Sequence, residues 1–251
     1  MGLRFRLPAA AMVALALTAL MPLSQARADS FSPDQRKELE RIIHDYLVSH
    51  PDVMLDVLQA AEAKIKSDSH DKAAQSLVEH KSELLNDPNS PVAGNPQGDV
   101  TLVEFFDYRC PYCKQVEPSL EALLGEDRKL RLVYKELPVL GPDSMVASRV
   151  ALAARKQGKY DAFHRDMMAL KGQINEAAIF KVAGSVGLDV ERLKRDMNAP
   201  EIGRMLKDNT SLAEALQIRG TPGFVIGNEI IPGAVDLGTL KEMIADARQQ
   251  K

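Results

Sequence analysis

With 251 residues, 45% of them hydrophobic and 27% charged, the chain is long enough for one large domain, or one domain with an appendage. Its 32 basic residues against 35 acidic ones give a net charge of −3 and argue against a nucleic-acid binder, which carries a basic face. Only two cysteines are present, too few for a disulfide-built scaffold or for a zinc site made of thiolates.

Arg4 and Arg6 precede an apolar run from Ala9 to Leu20, and Ala26-Arg27-Ala28 supplies a small-x-small cleavage pattern. This is read as a secretory signal peptide, residues 1–28, cleaved after Ala28 and excluded from the fold. Its removal takes three arginines and no acid, which leaves 29 bases against 35 acids, a net charge of −6. Export places the cysteines where a disulfide can form and persist, and a periplasmic location is expected. No later stretch reads as a membrane span. Residues 29–85 are helical in pattern, with Ser32 as a candidate N-cap and Pro33 at the first helical position. Leu39, Ile42, Ile43, Tyr46 and Leu47 make one apolar stripe, Pro51 starts a second helix, and Met54, Val57, Leu58, Ala61 and Ile65 make another stripe. A polar gap, Lys66 to Lys72, precedes a third stripe through Ala73, Leu77, Val78, Leu84 and Leu85. These stripes must be buried either on the main domain or on a sister chain. Residues 86–99 are a Pro/Gly/Asn-rich linker holding a short edge strand at Pro91-Val92-Ala93, and the domain boundary is expected near Asn86.

Val100 to Asp107 reads as a buried central strand and Leu130 to Glu136 as a second, with a helix from Lys114 to Leu124 between them. Strand, helix, strand implies a parallel pair. The two cysteines sit at the strand-to-helix turn, as Cys110-Pro111-Tyr112-Cys113. Backbone N–H groups at a helix start lack intrahelical partners and stabilise an anion, so this position favours a thiolate at Cys110. Pro111 suits the first turn, and Cys113, one turn on, can reach Cys110. A four-residue disulfide loop constrains the unfolded chain little, and the five histidines show no ligand spacing, so the pair is read as a redox-active dithiol rather than a staple or a metal site. Glu104 falls in the otherwise apolar strand, six residues before Cys110. It is either a solvated strand-end carboxylate or a buried acid that relays the proton of Cys113. Tyr108, Tyr112 and Phe224 are either core aromatics or the lining of an apolar docking groove.

Leu137 to Ser144 is expected as a turn, followed by a helical insert at about residues 145–217. Gly223 to Ile226 and Glu229 to Ile231 form a hairpin, and Leu237 to Arg248 an amphipathic terminal helix. Before the hairpin stands Arg219-Gly220-Thr221-Pro222-Gly223-Phe224, in which Pro222 is a candidate cis-proline. Taken with Glu104-Phe105-Phe106-Asp107-Tyr108 leading into Cys110-Pro111-Tyr112-Cys113, this resembles the thioredoxin superfamily and, within it, the DsbA-like thiol–disulfide oxidoreductases. The resemblance covers roughly Pro91 to Arg248. Ile42-Ile43-His44-Asp45-Tyr46-Leu47 and His50-Pro51-Asp52-Val53-Met54-Leu55 resemble the N-terminal extension of the suppressor-of-copper-sensitivity C (ScsC) proteins, some of which trimerise through it.

The expected fold class is therefore α/β: a thioredoxin fold over residues 100–251 with a large helical insertion, preceded by an N-terminal helical extension. The resemblance implies Cys110 as attacking thiolate, Cys113 as resolving thiol and Glu104 as proton relay. It also implies substrate contacts at Thr221, Pro222, Pro111 and Tyr112. Thr221 before the proline, and Tyr112 where strong oxidases carry His, point to a disulfide isomerase or reductase. The alternatives are a monomeric dithiol oxidase and a copper(I)-handling thiol module. Expected partners are cysteine-containing proteins, a membrane redox partner and sister chains in a homotrimer. No cofactor, resident metal or nucleic acid is expected.

Overall fold

The structure, a computed structural model, describes residues 31–249; the expected signal peptide and its cleavage site lie outside the described residues. The chain divides into two compact units between Ala61 and Glu62. The first holds α1 (Pro33–Ser49) and the start of α2 (Pro51–Glu79). Ser32 and Gln35 form a reciprocal capping box, with each side chain bonded to the other's backbone, at 3.2 and 2.9 Å. Helix α1 buries none of its residues: Leu39, Ile42, Ile43 and Tyr46 are 42%, 54%, 49% and 51% exposed.

The second unit follows the thioredoxin plan. After α3 (Lys81–Leu85) come β1 (Val92–Gly94), β2 (Val100–Phe106), α4 (Pro111–Glu126) and β3 (Leu130–Glu136). The helical insert is α5 (Pro142–Arg155), α6 (Tyr160–Ala169), α7 (Glu176–Ser185), α8 (Val190–Asp196) and α9 (Pro200–Ala215). The chain then returns through β4 (Gly223–Ile226), β5 (Glu229–Pro232) and α10 (Leu237–Gln249). The sheet order is β1-β3-β2-β4-β5. Strands β2 and β3 are parallel and the remaining pairs antiparallel.

Strand β2 is central and buried on both faces, which accounts for its nearly unbroken apolar run. Side chains alternate across a strand, so Leu102 and Phe106 enter the core with Val116 and Leu120 of α4, whereas Val103 and Phe105 enter a second core with Leu212, Leu216, Leu77 and Leu84. Glu104, between Leu102 and Phe106 in this alternation, shares their face. The second half of α2 and α3 belong to the second unit through Leu77 and Leu84, 6% and 2% exposed. The compact division therefore falls earlier than the linker at residues 86–99. Residues 66–72 do not interrupt α2, because outward charged side chains are compatible with one continuous helix. Lys135, 1% exposed, ties this segment to the sheet by donating to Glu83 O at 2.8 Å and Asp87 Oδ2 at 3.1 Å.

Candidate active site

Cys110 is the N-cap of α4 and Pro111 its first helical residue. The turn before it is held by Asp107, whose carboxylate accepts from Arg109 N at 2.8 Å and Leu140 N at 2.9 Å. Cys110 is 3% exposed and Cys113 is fully buried; both are free thiols. Cys110 Sγ donates to Thr221 O at 3.1 Å, and Thr221–Pro222 is a cis peptide. The backbone passes closely here: a Cβ on Gly223 would stand 2.6 Å from Ile218 Cγ2. Two segments more than a hundred residues apart thus meet at one sulfur. Tyr112, between the cysteines, is 60% exposed, while Tyr108 and Phe224 are fully buried core residues.

Burial pushes the Cys113 thiol up, well above its ordinary value, and the neighbouring Glu104 and Cys110 add to the shift. Cys113 therefore stays protonated at neutral pH. Glu104 pairs with Tyr134 and Phe224 across the sheet, is fully buried, and neither of its oxygens finds a hydrogen-bond partner among the described residues. Burial holds its carboxyl well above the usual range, with further contributions from Glu117, Cys110 and Glu136. The site thus places a buried carboxyl, biased toward its protonated form, beside the dithiol.

A second buried acid lies beyond it. Glu136 ends β3 and accepts from Ser148 Oγ at 2.7 Å, Tyr160 Oη at 2.9 Å and Tyr108 Oη at 3.2 Å. The Tyr108 hydroxyl also meets His164 Nδ1 at 3.1 Å, and His164 Nε2 stands 3.5 Å from Glu117 Oε2. This network joins α5 and α6 of the insert to the turn that presents Cys110. Lys114 adds a clamp by donating to Met167 O, Met168 O and Leu170 O at 2.7, 3.1 and 2.9 Å, so that it caps α6 from α4. Glu117, Glu136, His164 and Asp107 are the residues that sequence reasoning passed over. Two left a signal: Glu117 falls four residues after Cys113 in the apolar stripe of α4, and His164 lies in the stripe Tyr160, Phe163, Met167 of α6.

Burial pushes Glu136 from 4.5 up to about 8 against the pull of its three hydroxyl donors. Between those pH values the folded chain keeps a proton that the unfolded chain has lost. The stabilisation by neutral Glu136 is therefore complete below about pH 4.5 and is lost as pH rises through about 8. At 1.36 kcal/mol per unit this amounts to roughly 5 kcal/mol. Glu136→Gln, neutral throughout, can keep the hydroxyl partners. Urea unfolding of both proteins from pH 5 to 9 is expected to show the variant gaining on the parent by that order. A constant difference would show that Glu136 is ionised in the folded chain.

Among the described residues no group of three or more His, Cys, Asp or Glu side chains is placed to hold a metal ion, and no helix is long and apolar enough to cross a membrane. Comparison with known proteins places this geometry in context. Residues 101–245 match the DSBA-like thioredoxin domain, and residues 35–66 match the copper resistance protein ScsC N-terminal domain. A thioredoxin-like oxidoreductase from Silicibacter pomeroyi is 48% identical, covers 67% of this chain and 97% of its own, and superposes with a TM-score of 0.66. ScsC from Proteus mirabilis, in a transitional conformation, is 30% identical, covers 88% of this chain and 99% of its own, and has a TM-score of 0.65. A Na(+)/H(+) antiporter NhaA 1 from Salinispora arenicola is 28% identical over 158 residues, and the chain spans about a quarter (24%) of that relative's length.

Proposed function

The chain belongs to the DsbA-like thioredoxin-domain family, with an ScsC-type N-terminal domain, and from that premise we propose that it is an exported protein disulfide isomerase and reductase of the periplasm. The observation that carries this reading is Cys110 at the N-cap of α4, its sulfur 3.1 Å from the carbonyl of Thr221 in the cis-proline turn. The Cys110 thiolate attacks one sulfur of a substrate disulfide; a mixed disulfide forms and the other substrate sulfur leaves as a thiolate that takes up a proton. Cys113 then gives up its proton and attacks Cys110 Sγ, releasing the second substrate thiol and leaving the Cys110–Cys113 disulfide. Alternatively a different substrate thiol attacks the mixed disulfide and regenerates Cys110 unchanged, which is isomerisation.

Glu104 serves the proton at Cys113. As a carboxylate it accepts the proton of Cys113 when that sulfur attacks Cys110 Sγ, and as an acid it returns the proton when Cys113 leaves in the reverse direction. Thr221 and Pro222 form the wall against which substrate lies, with Pro111 and Tyr112 at the rim. Each reduction consumes two electrons and two protons, and a membrane redox partner returns the disulfide to the dithiol. Isomerisation rather than oxidation is supported by the exposed stripe of α1, which suits assembly of several copies, in the form of a homotrimer. The test is refolding of scrambled ribonuclease by the full chain in a glutathione buffer. Recovery of ribonuclease activity well above the buffer rate is expected. Oxidation of reduced ribonuclease without any rescue of the scrambled form would instead identify a dithiol oxidase.

A further inference from the structure

Beside the cis-proline turn runs a groove of about 960 Å³ that the chemistry above leaves unused. It begins at Thr221 and Pro222 and follows β5, the last strand of the sheet, whose outer edge no strand pairs among the described residues. Its far wall is one face of the second half of α2: Glu62, Lys66, Ser69, Ala73 and Leu77, three or four residues apart and therefore aligned along the helix, with Ile65 beside them. Two contacts hold that face in place. Leu77 is sunk in the core with Val103 and Phe105. Ser69 Oγ donates to Gln217 Oε1 at 3.1 Å. Gln217 terminates α9 in the left-handed conformation, φ 57°, with Ile218 N bonded back to Ala213 O at 2.8 Å, and it lies four residues before Thr221.

We propose that this face of α2 is the outer wall of the substrate groove and selects extended polypeptide segments with apolar side chains beside the reacting cysteine. The inference rests on the oxidoreductase reading and adds to its substrate site the specificity-determining residues of α2. A sulfur that reaches Cys110 brings its own chain across Thr221, whose carbonyl is 3.1 Å from Cys110 Sγ, and the groove opens at that point. An unpaired strand edge on one side offers backbone hydrogen bonds to an extended chain. The charged lining residues are Glu62 and Glu229 against Lys66 and Arg219, two of each sign, so the groove favours neither acidic nor basic segments. Between them stand Ile65, Ala73, Ala74 and Ile230, and Ile65 is 68% exposed. An unfolded or misfolded segment supplies apolar side chains for these positions, whereas a small disulfide such as oxidised glutathione does not extend to α2.

The experiment compares Ile65→Glu and Ala73→Glu with the parent, as full chains, for exchange with a cysteine-disulfide peptide carrying apolar flanks and with oxidised glutathione. Helix content and assembled mass are recorded for each protein. The ratio of kcat/KM for the peptide to that for glutathione is expected to fall about tenfold, the loss of one apolar side-chain contact, and to do so through KM. An unchanged ratio in folded variants overturns the proposal, as does an equal fall for both substrates, which would place the effect at the dithiol. A parent chain that exchanges with neither substrate fails the oxidoreductase reading itself, a result separable from the first two.

Discussion

Replacing Cys110 by serine is expected to bring insulin reduction down to the uncatalysed rate, whereas replacing Cys113 by serine is expected to leave the first step running and strand the protein as a mixed disulfide. The difference follows from position. Cys110 is the N-cap of α4 with its sulfur against the cis-proline turn, and a serine hydroxyl in that place is far too weak a nucleophile to open a disulfide. Cys113 faces the interior, and burial keeps its proton on. It cannot replace Cys110 as the group that attacks substrate, because it is fully buried behind Cys110 and gives up its proton only when it resolves the mixed disulfide. Mass spectrometry of Cys113→Ser after incubation with a disulfide substrate should find one substrate per chain, removable by dithiothreitol and absent from Cys110→Ser. Residual insulin reduction by Cys110→Ser would sink the assignment of the attacking sulfur. Glu104→Gln in the same series should keep formation of the mixed disulfide and change the pH profile of its resolution, since only the second step moves the proton of Cys113. An unchanged profile removes Glu104 from the reaction and leaves it as a buried acid in the core.

What could be read from the chain alone divides along a physical line. Features encoded by neighbours in sequence were legible: the edge strand at Val92, the central strand β2, and the dithiol at a helix start with Pro111 behind it. The link from Pro222 to Cys110, over a hundred residues, was legible only through family resemblance, since nothing local says that Thr221 O meets the sulfur. The polar network was not legible. Glu136 at the end of a strand looks solvated until Tyr108, Ser148 and Tyr160, from three other segments, supply its hydroxyl donors. His164 reads as an ordinary helix residue until Tyr108 and Glu117 arrive on either side of its ring. Asp107 reads as the polar end of a strand, yet it orders the turn through two backbone amides. Burial of a polar group is a property of the assembled fold, and its partners come from wherever the topology brings them. Helix α2 runs on through the polar gap at 66–72, since polarity governs which face meets solvent, not whether the backbone is helical.

Replacing Ile43 by glutamate is expected to reduce the assembled mass to that of one chain and to weaken rescue of scrambled ribonuclease while insulin reduction continues. Leu39, Ile42, Ile43 and Tyr46 recur at helical spacing on α1, and the helix buries none of its residues. Full burial of side chains such as these is worth about 1.5–3 kcal/mol each, so covering the stripe with copies of itself stabilises an assembly by several kcal/mol per chain. A carboxylate in the middle of that stripe must either leave it or be buried unpaired, and both outcomes separate the chains. Ile43 lies in the first compact unit and outside the dithiol site, so attack by Cys110 is unaffected. A single dithiol can isomerise when a substrate thiol resolves the mixed disulfide, and on the proposed reading assembly adds repeated attack on the same substrate. A misfolded substrate held through one mixed disulfide meets a second dithiol at high effective concentration only when other copies are tethered nearby. Light scattering and the two assays on the same preparation decide the matter. A parent chain that is already a single chain in solution, or an Ile43→Glu variant that loses mass yet rescues ribonuclease as well as the parent, would separate assembly from isomerisation.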